Sequence, residues 1–89
     1  MAVVSISPEA QEQFCDLPRV IQARVTKILA RLRNWPEVSG AKPLSGELAG
    51  HFRIRTGDYR VQFRVKRTGE TARVIVEKLG HRDGFYGDE

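Results

Sequence analysis

The sequence has few of the features that cross-link small domains or anchor proteins in membranes. It contains a single cysteine, Cys15, which cannot form an internal disulfide bond. No apolar run approaches the roughly 18 residues of a membrane-spanning helix. The first residues carry neither the basic segment nor the long apolar segment of a secretory signal peptide. These features predict a cytoplasmic protein in which Cys15 is a small hydrophobic residue of the core.

The sequence also lacks the groups of residues that typically bind metal ions. It has no clustered carboxylates suited to magnesium and no Cys/His spacing suited to zinc, so we expect no metal and no other cofactor. Hydrophobic residues make up 40% of the chain and charged residues 29%, which argues against a disordered protein. A length of 89 residues suits one small domain, which we expect to span residues 1–89.

Positive charge is concentrated in the second half of the chain. The formal net charge is +4. Residues 51–82 hold nine Lys/Arg against three Asp/Glu, whereas residues 83–89 hold three acidic residues and no Lys/Arg. A localised basic field indicates a polyanionic partner, with nucleic acid as the first candidate. A solvated strand face that uses arginine would have the same composition.

Two helices are predicted in the first half of the chain. Ser7 is a suitable N-cap for the first helix and Pro8 a suitable first helical residue, and Pro18 starts the second helix. The second helix has the clearest hydrophobic period, which continues up to Pro36. Its apolar residues recur at spacings of four and three: Ile21, Val25, Ile28, Leu32 and Trp35.

From residue 51 the hydrophobic pattern changes to alternation, which predicts strands. Three strands with turns at Gly57 and Gly69 form an antiparallel meander, and the last of them is predicted to end at Gly80. Residues 4–6 predict a short first strand. The sequence therefore predicts an α+β fold, with two N-terminal helices packed on one face of a small, mainly antiparallel four-stranded sheet.

The other face of this sheet is predicted to be strongly basic. Arginines alternate along one strand, and another begins the adjacent strand just across a tight turn. A histidine and an arginine follow the last strand, and a tyrosine comes four residues later. We expect the sheet to bring these groups to one surface: Arg53, Arg55, Arg60, His81, Arg82 and Tyr86.

Such a cluster suits phosphate chemistry, because guanidinium groups bind phosphate in bidentate geometry and stay charged at any biological pH. In RNA cleavage the ribose 2′-oxygen attacks the neighbouring phosphorus, and fixed positive groups stabilise the charge that builds on the phosphoryl oxygens. No metal is needed when the nucleophile is internal. Tyr86 is predicted to help deprotonate the 2′-hydroxyl or to stack on a base. His81 or Arg82 would protonate or stabilise the leaving 5′-oxygen.

The order and spacing of these residues resemble the signature of the RelE/ParE toxin superfamily. The preceding pair of helices agrees with it, so the resemblance spans nearly the whole chain. The matching residues fall in two segments: Lys42-Pro43-Leu44, Leu48, Phe52-Arg53-Ile54-Arg55 and Gly57-Asp58-Tyr59-Arg60-Val61, and then Val74-Ile75-Val76, Leu79-Gly80-His81-Arg82 and Tyr86.

The resemblance to the RelE branch implies a metal-independent endoribonuclease that enters the ribosomal A site and cuts mRNA there, which inhibits translation and growth. Several relatives have lysine at the positions of Arg53 and Arg55. If lysine acts as the general base in those relatives, another residue must supply the base in this chain. Relatives with a histidine near the C-terminus make His81 a candidate acid or base. The resemblance assigns catalytic roles to these positions: Arg53, Arg55, Arg60, Arg82 and Tyr86.

The resemblance further implies a cognate antitoxin, usually encoded beside the toxin, and the ribosome with its mRNA as targets. Arg24, Lys27 and Arg31 on the second helix, and Arg64 on the sheet, are either solvated surface residues or contacts to ribosomal RNA. Two alternative functions remain open on the same fold. They are a ParE-like inhibitor of DNA gyrase and a non-catalytic module that binds the antitoxin as a co-repressor.

Overall fold

The computed structural model describes residues 2–81. These residues form two helices, five strands and one short 3-10 helix. In chain order they are β1 (Val3–Ile6), α1 (Pro8–Cys15), α2 (Arg19–Leu32), β2 (Lys42–Pro43), the 3-10 helix (Gly46–Leu48), β3 (His51–Thr56), β4 (Tyr59–Thr68) and β5 (Thr71–His81). In this part of the chain, neither helix has the length and apolar character needed to cross a bilayer.

All strands belong to one sheet with the order β1-β5-β4-β3-β2. The pairs β5–β4, β4–β3 and β3–β2 are antiparallel, whereas β1 runs parallel to β5. The predicted α+β fold with a mainly antiparallel sheet is confirmed, with five strands instead of four. The additional strand, β2, lies between Pro36 and residue 51, where the sequence predicts no strand. Two residues are too few to show a hydrophobic alternation, so only pairing with β3 reveals this strand.

Both helices start where the sequence predicts. The Ser7 hydroxyl accepts a hydrogen bond from the Ala10 amide at 3.1 Å, and Pro8 is the first residue of α1. Helix α2 begins directly after Pro18. Their apolar sides pack on one face of the sheet, where the fully buried residues include Leu32, Val25, Phe63, Val61, Val74 and Val76.

Helix α2 ends three residues before the predicted position. The helical spacing continues to Trp35, but the helix stops at Leu32 and the chain continues in turns. These turns keep the indole on the core side, where its ring lies 4.7 Å from that of Phe52 and 5.5 Å from that of Phe63. Trp35 therefore fits the helical spacing of apolar residues because its side chain packs in the core, although the backbone at this position is no longer helical.

The prediction that Cys15 belongs to the core is wrong, because its side chain is exposed at the end of α1. Helix α1 buries Ala10 and partly buries Phe14. At about 100° per residue, Cys15 points away from the stripe that these two residues define.

Strand β5 contains a β-bulge and runs one residue past its predicted end. Opposite Gln62 and Phe63 of β4, the register passes from Lys78 to Val76, so Glu77 has no register partner. An extra residue of this kind reverses the alternation of side chains along the rest of the strand. Beyond the bulge, Gly80 still pairs with β4, and β5 therefore continues to His81.

Candidate functional site

The sheet face opposite the helices carries a band of cations formed by Lys42, Arg53, Arg55 and Arg60, here called the cation band. Arg53 and Arg55 lie on this face because Ile54 between them is buried in the core. Register pairing places two cations directly opposite each other twice, in the pairs Lys42–Arg53 and Arg55–Arg60. The band thus spans β2, β3 and β4. The predicted grouping of the three arginines is present in the structure.

Opposed like charges are an unfavourable arrangement for a sheet. Directly opposite side chains have Cβ atoms about 4.5–5.5 Å apart, and like charges in such positions destabilise the pair. The cation band contains two such pairs next to each other. Sequences break local rules of this kind mainly at functional sites. Lys66 and Arg73 are also opposed elsewhere in the sheet, so the distinguishing feature of the cation band is that two such pairs are adjacent and concentrate positive charge.

Arg60 lies near the start of β4, the middle strand of the sheet, and has side-chain donors that make no hydrogen bond to residues 2–81. Its Nε and Nη1 atoms are buried and have no hydrogen-bond partner among residues 2–81. A buried charged donor without a partner costs free energy that a bound acceptor would recover. Phosphate oxygens are acceptors of the required charge and geometry.

An open pocket with a volume of about 390 Å³ adjoins the cation band on the side away from β4. Three cations of the band and two glycines line it: Gly40, Lys42, Arg53, Arg55 and Gly57. None of these five residues is acidic. Gly40 and Gly57 have φ angles of 84° and 60°, which glycine adopts without strain. The pocket is therefore a basic cleft lined by three cationic residues and two glycines.

A second polar cluster lies further along the same face and consists of His51, Arg64 and Glu77. The Glu77 Oε1 atom is 2.8 Å from His51 Nε2, and its Oε2 atom is 3.6 Å from Arg64 Nε. His51 and Arg64 are also register partners on β3 and β4. Arg64, a candidate RNA contact, is therefore paired with a carboxylate. Within residues 2–81, no three His, Cys, Asp or Glu side chains are grouped as a metal site would require.

Glu77 is a site residue that the sequence analysis missed. Its side chain lies on the basic face by ordinary alternation with the buried Val76, and the extra residue of the β-bulge shifts the phase only for the residues that follow. The sequence alone does not show the bulge, because Val74, Ile75 and Val76 are all apolar. The structure shows it, since the buried positions change from even, Val74 and Val76, to odd, Leu79. A change of phase inside one strand is typical of a bulge.

His81 does not join the cation band in this structure. It is the register partner of Tyr59, and the two rings meet edge to face with centroids 5.2 Å apart. Tyr59 packs against the core on the helix side of the sheet. The imidazole therefore lies at the same end of the sheet as Arg60 but on the opposite face. Arg82 and Tyr86, the other predicted catalytic residues, lie outside the described residues.

The three candidate cations on α2 are exposed and lie on the helix layer of the molecule. Arg31 donates hydrogen bonds from Nη2 to the Ser39 carbonyl at 2.7 Å and to the Ser39 hydroxyl at 3.1 Å. The Arg24 guanidinium lies beside Gly57, where a Cβ atom would be 3.5 Å from Nη1. Arg24 and Arg31 therefore contact residues outside α2. Lys27, the third candidate cation, is exposed on the same helix.

The fold is that of the small RelE-like toxins. The isolated Escherichia coli RelE toxin has the same fold, with a TM-score of 0.71, 18% identity, and coverage of 97% of this chain and 92% of that one. The toxin–antitoxin complex RelBE2 from Mycobacterium tuberculosis matches with a TM-score of 0.74 and 32% identity over 90% of each chain.

Sequence similarity narrows the class to a family. The toxin RelG of Mycobacterium tuberculosis is 36% identical over 69 residues, which cover 78% of this chain and 76% of RelG. No model of a protein family matches the chain. The chain belongs to the RelE/ParE toxin superfamily and is a RelE-like toxin of a toxin–antitoxin system. The resemblance inferred from the sequence is thereby confirmed.

Proposed function

We propose that this toxin is an endoribonuclease that cleaves mRNA in the ribosomal A site and thereby inhibits translation and growth. The 2′-hydroxyl of the RNA would attack the adjacent phosphate, with no metal ion required. The observation that carries the proposal is the opposed pair Arg55–Arg60, in which two buried donors of Arg60 have no partner among residues 2–81. This pair is a positive site that an RNA phosphate would complete.

Arg55 and Arg60 would act by stabilising charge. As the 2′-oxygen bonds to phosphorus, negative charge grows on the two non-bridging phosphoryl oxygens. Guanidinium groups held on a sheet need little reorganisation to meet that charge, and removal of one such donor typically lowers kcat about 10²- to 10³-fold. Arg53, next to Arg55 on β3, would add to the field and help bind the substrate.

We assign proton transfer to residues at and beyond the end of β5. Arginine is a poor general acid or base because it holds its proton too tightly. Tyr86 would help deprotonate the 2′-hydroxyl or stack on a base, and His81 or Arg82 would protonate or stabilise the leaving 5′-oxygen. For His81 this role requires the RNA to pass around the sheet end or the imidazole to leave Tyr59.

A cognate antitoxin, encoded beside the toxin, is the proposed regulatory partner. The inference rests on the similarity to a chain of the mycobacterial toxin–antitoxin complex RelBE2. A net charge of +4 also favours an acidic partner that can cover the basic face. The proposed targets, the ribosome and its mRNA, place the action of the toxin in the cytoplasm.

The proposal is tested by primer extension on a defined mRNA, with purified toxin in the presence and absence of stalled ribosomes. Breaks within the A-site codon that need the ribosome are expected. Absence of cleavage by a folded protein that still arrests growth would favour inhibition of DNA gyrase. Absence of both cleavage and growth arrest would favour a non-catalytic module.

The role of Tyr86 is tested separately with Tyr86→Phe, which keeps the ring and removes the hydroxyl. A fall in the single-turnover cleavage rate is expected if the hydroxyl transfers a proton. An unchanged rate would leave base stacking as its function.

A further inference from the structure

We propose that Lys42 and the pocket beside the cation band form a second phosphate site, which binds a phosphodiester of single-stranded RNA other than the one that is cleaved. The identity of the ligand as RNA rests on the proposed function. The site itself rests on the pocket and its charges. Lys42 is assigned here a binding role that its place in the sequence pattern did not indicate.

The pocket is distinct from the Arg55–Arg60 pair. Lys42, Arg53 and Arg55 line it, and Arg60 does not. Arg55 therefore separates two places where an anion can bind, one towards β4 and one towards β2. Lys42 and Arg60 lie two strands apart, about 10 Å across the sheet. Their register partners Arg53 and Arg55 are two residues apart along β3, so the two Cα atoms are roughly 12 Å from each other. Successive phosphates of one RNA strand could occupy the two places together.

The size and lining of the pocket suit a nucleotide rather than a lone ion. Its volume of about 390 Å³ is in the range of small-molecule sites and well above that of one phosphate group. A Cβ atom at Gly40 would meet no other atom within 4 Å, so the wall there is open. The charged side chains can hold the phosphate while the attached ribose and base extend into open space.

The edge that carries Lys42 is fixed on both sides. Before it, Arg31 holds the loop by its two hydrogen bonds to Ser39. After it, Pro43 pairs with β3, and the Leu44 amide donates a hydrogen bond to the His51 carbonyl at 2.9 Å. A binding group on an anchored backbone loses less conformational entropy when its ligand binds. The pairing of the two-residue strand β2 with β3 thus holds Lys42 opposite Arg53.

The test measures RNA binding apart from cleavage. The ligand is a short single-stranded RNA with a 2′-deoxyribose at the cleavage position, so that it cannot react. Lys42→Gln should weaken its binding on the order of tenfold. The slope of log K against log salt should fall in magnitude by about 0.7, the value for one lost phosphate contact on a single strand. Lys42→Arg should restore both quantities.

Lys66→Gln is the matched control, because Lys66 is an exposed cation of the same face that lies outside the pocket. Its affinity for the RNA should stay within about twofold of the unmodified protein, since it contacts no phosphate in the pocket. In NMR titrations with the same RNA, the amides of Gly40 and Gly57 should shift in the unmodified protein and in Lys66→Gln but not in Lys42→Gln.

Unchanged affinity and salt slope in Lys42→Gln would overturn the proposal. So would equal losses in Lys42→Gln and Lys66→Gln, which would reflect net charge alone. A large fall in the cleavage rate on ribosomes at saturating Lys42→Gln, with unchanged RNA affinity, would also overturn the binding role, because it would put Lys42 at the phosphate that reacts. If the toxin cleaves no RNA but binds it through Lys42, the proposed nuclease fails and the phosphate site stands.

Discussion

At the scale of single residues, the opposed arginines Arg55 and Arg60 place charge where a sheet does not favour it. Like charges directly opposite each other destabilise a sheet, by an amount on the order of the 0.2–1 kcal/mol that a favourable cross-strand pair contributes. Active sites commonly exchange stability for function in this way. The pair therefore predicts opposite effects on folding and on catalysis when one of its charges is removed.

Arg60→Gln should raise the melting temperature and abolish most cleavage. Relief of about 0.5 kcal/mol of repulsion corresponds to roughly 2–4 °C in a domain of this size. The cleavage rate should fall at least about 10²-fold, because the phosphoryl charge loses a fixed partner. Thermal unfolding followed by circular dichroism and single-turnover cleavage on ribosomes measure the two effects.

Lys66→Gln is the control for this experiment, because Lys66 is opposed to another cation, Arg73. It should give a similar rise in melting temperature with an unchanged cleavage rate. A variant of Arg60 that is less stable than the unmodified protein and cleaves normally would contradict the interpretation of the Arg55–Arg60 pair.

Glu77 restrains two groups that could otherwise bind RNA. It lies within 2.8 Å of His51 and 3.6 Å of Arg64, and so neutralises part of the basic face. Glu77→Gln should therefore tighten binding of single-stranded RNA and steepen its salt dependence by about 0.7, since Arg64 becomes available to a phosphate. Binding titrations over a range of salt concentrations measure both effects.

Glu70→Gln is the control for this change, because it removes one negative charge at the exposed β4–β5 turn. It should have little effect on RNA binding. An equal gain in affinity from Glu70→Gln would show that the net charge, and not the Glu77 contacts, controls binding.

At the scale of elements, helix α1 completes the hydrogen bonding of β5 where strand β1 ends. The Ser7 hydroxyl donates to the Glu77 carbonyl at 3.3 Å, and the Gln13 side-chain oxygen accepts from the Leu79 amide at 2.7 Å. Both partners on β5 lie at the bulge, next to the end of the strand that carries His81. Side chains of α1 and of its N-cap residue thus stabilise the backbone that leads into the candidate site.

Gln13→Ala should destabilise the protein by about 1–3 kcal/mol, because it leaves the partly buried Leu79 amide without an acceptor. Gln11→Ala, at an exposed position of the same helix, should change stability by less than about 0.5 kcal/mol. Urea unfolding gives the two free energies, and hydrogen exchange should show faster exchange of the Leu79 amide in Gln13→Ala alone. Equal losses in both variants would mean that helix propensity, and not this hydrogen bond, is responsible.

The elements that could be predicted are those with long, regular patterns. Ser7, Pro8 and Pro18 marked the starts of the helices, and alternation with tight glycine turns gave β3 and β4. Arg53, Arg55 and Arg60 were placed together because a tight turn leaves little freedom in register. Strand β2 could not be found, because its two residues acquire their conformation from β3 and not from their own sequence.

The bulge explains why His81 does not lie with the arginines. Without an extra residue in β5, the buried positions Val74 and Val76 would put all odd positions, including residue 81, on the basic face. Glu77 shifts the phase by one, so Leu79 is buried and His81 meets Tyr59. Tertiary pairing, which decides where a bulge forms, is not encoded in local alternation alone.

At the scale of the whole molecule, the candidate RNA contacts form two separate sets. The cation band lies on the outer face of the sheet, whereas Lys27 is exposed on α2, whose apolar side packs on the other face. The described part of the molecule measures 36 × 29 × 24 Å. A short RNA strand on the sheet cannot also reach the outer side of α2, but a ribosomal cavity could surround both.

Lys27→Gln should therefore weaken binding to the ribosome and leave binding of a short single-stranded RNA unchanged. The slope of log K against log salt for ribosome binding should fall in magnitude by a little less than one unit, because one charged contact is lost. Arg24 and Arg31 are less suitable for this test, since their loss would also disturb Gly57 and Ser39. Arg53→Gln is the complementary variant and should weaken both kinds of binding, because Arg53 lines the pocket on the sheet face. Sedimentation with ribosomes and titration with the RNA separate the two sets. A ribosome salt slope that Lys27→Gln leaves unchanged would mean that α2 presents a solvated face and that the sheet alone binds nucleic acid.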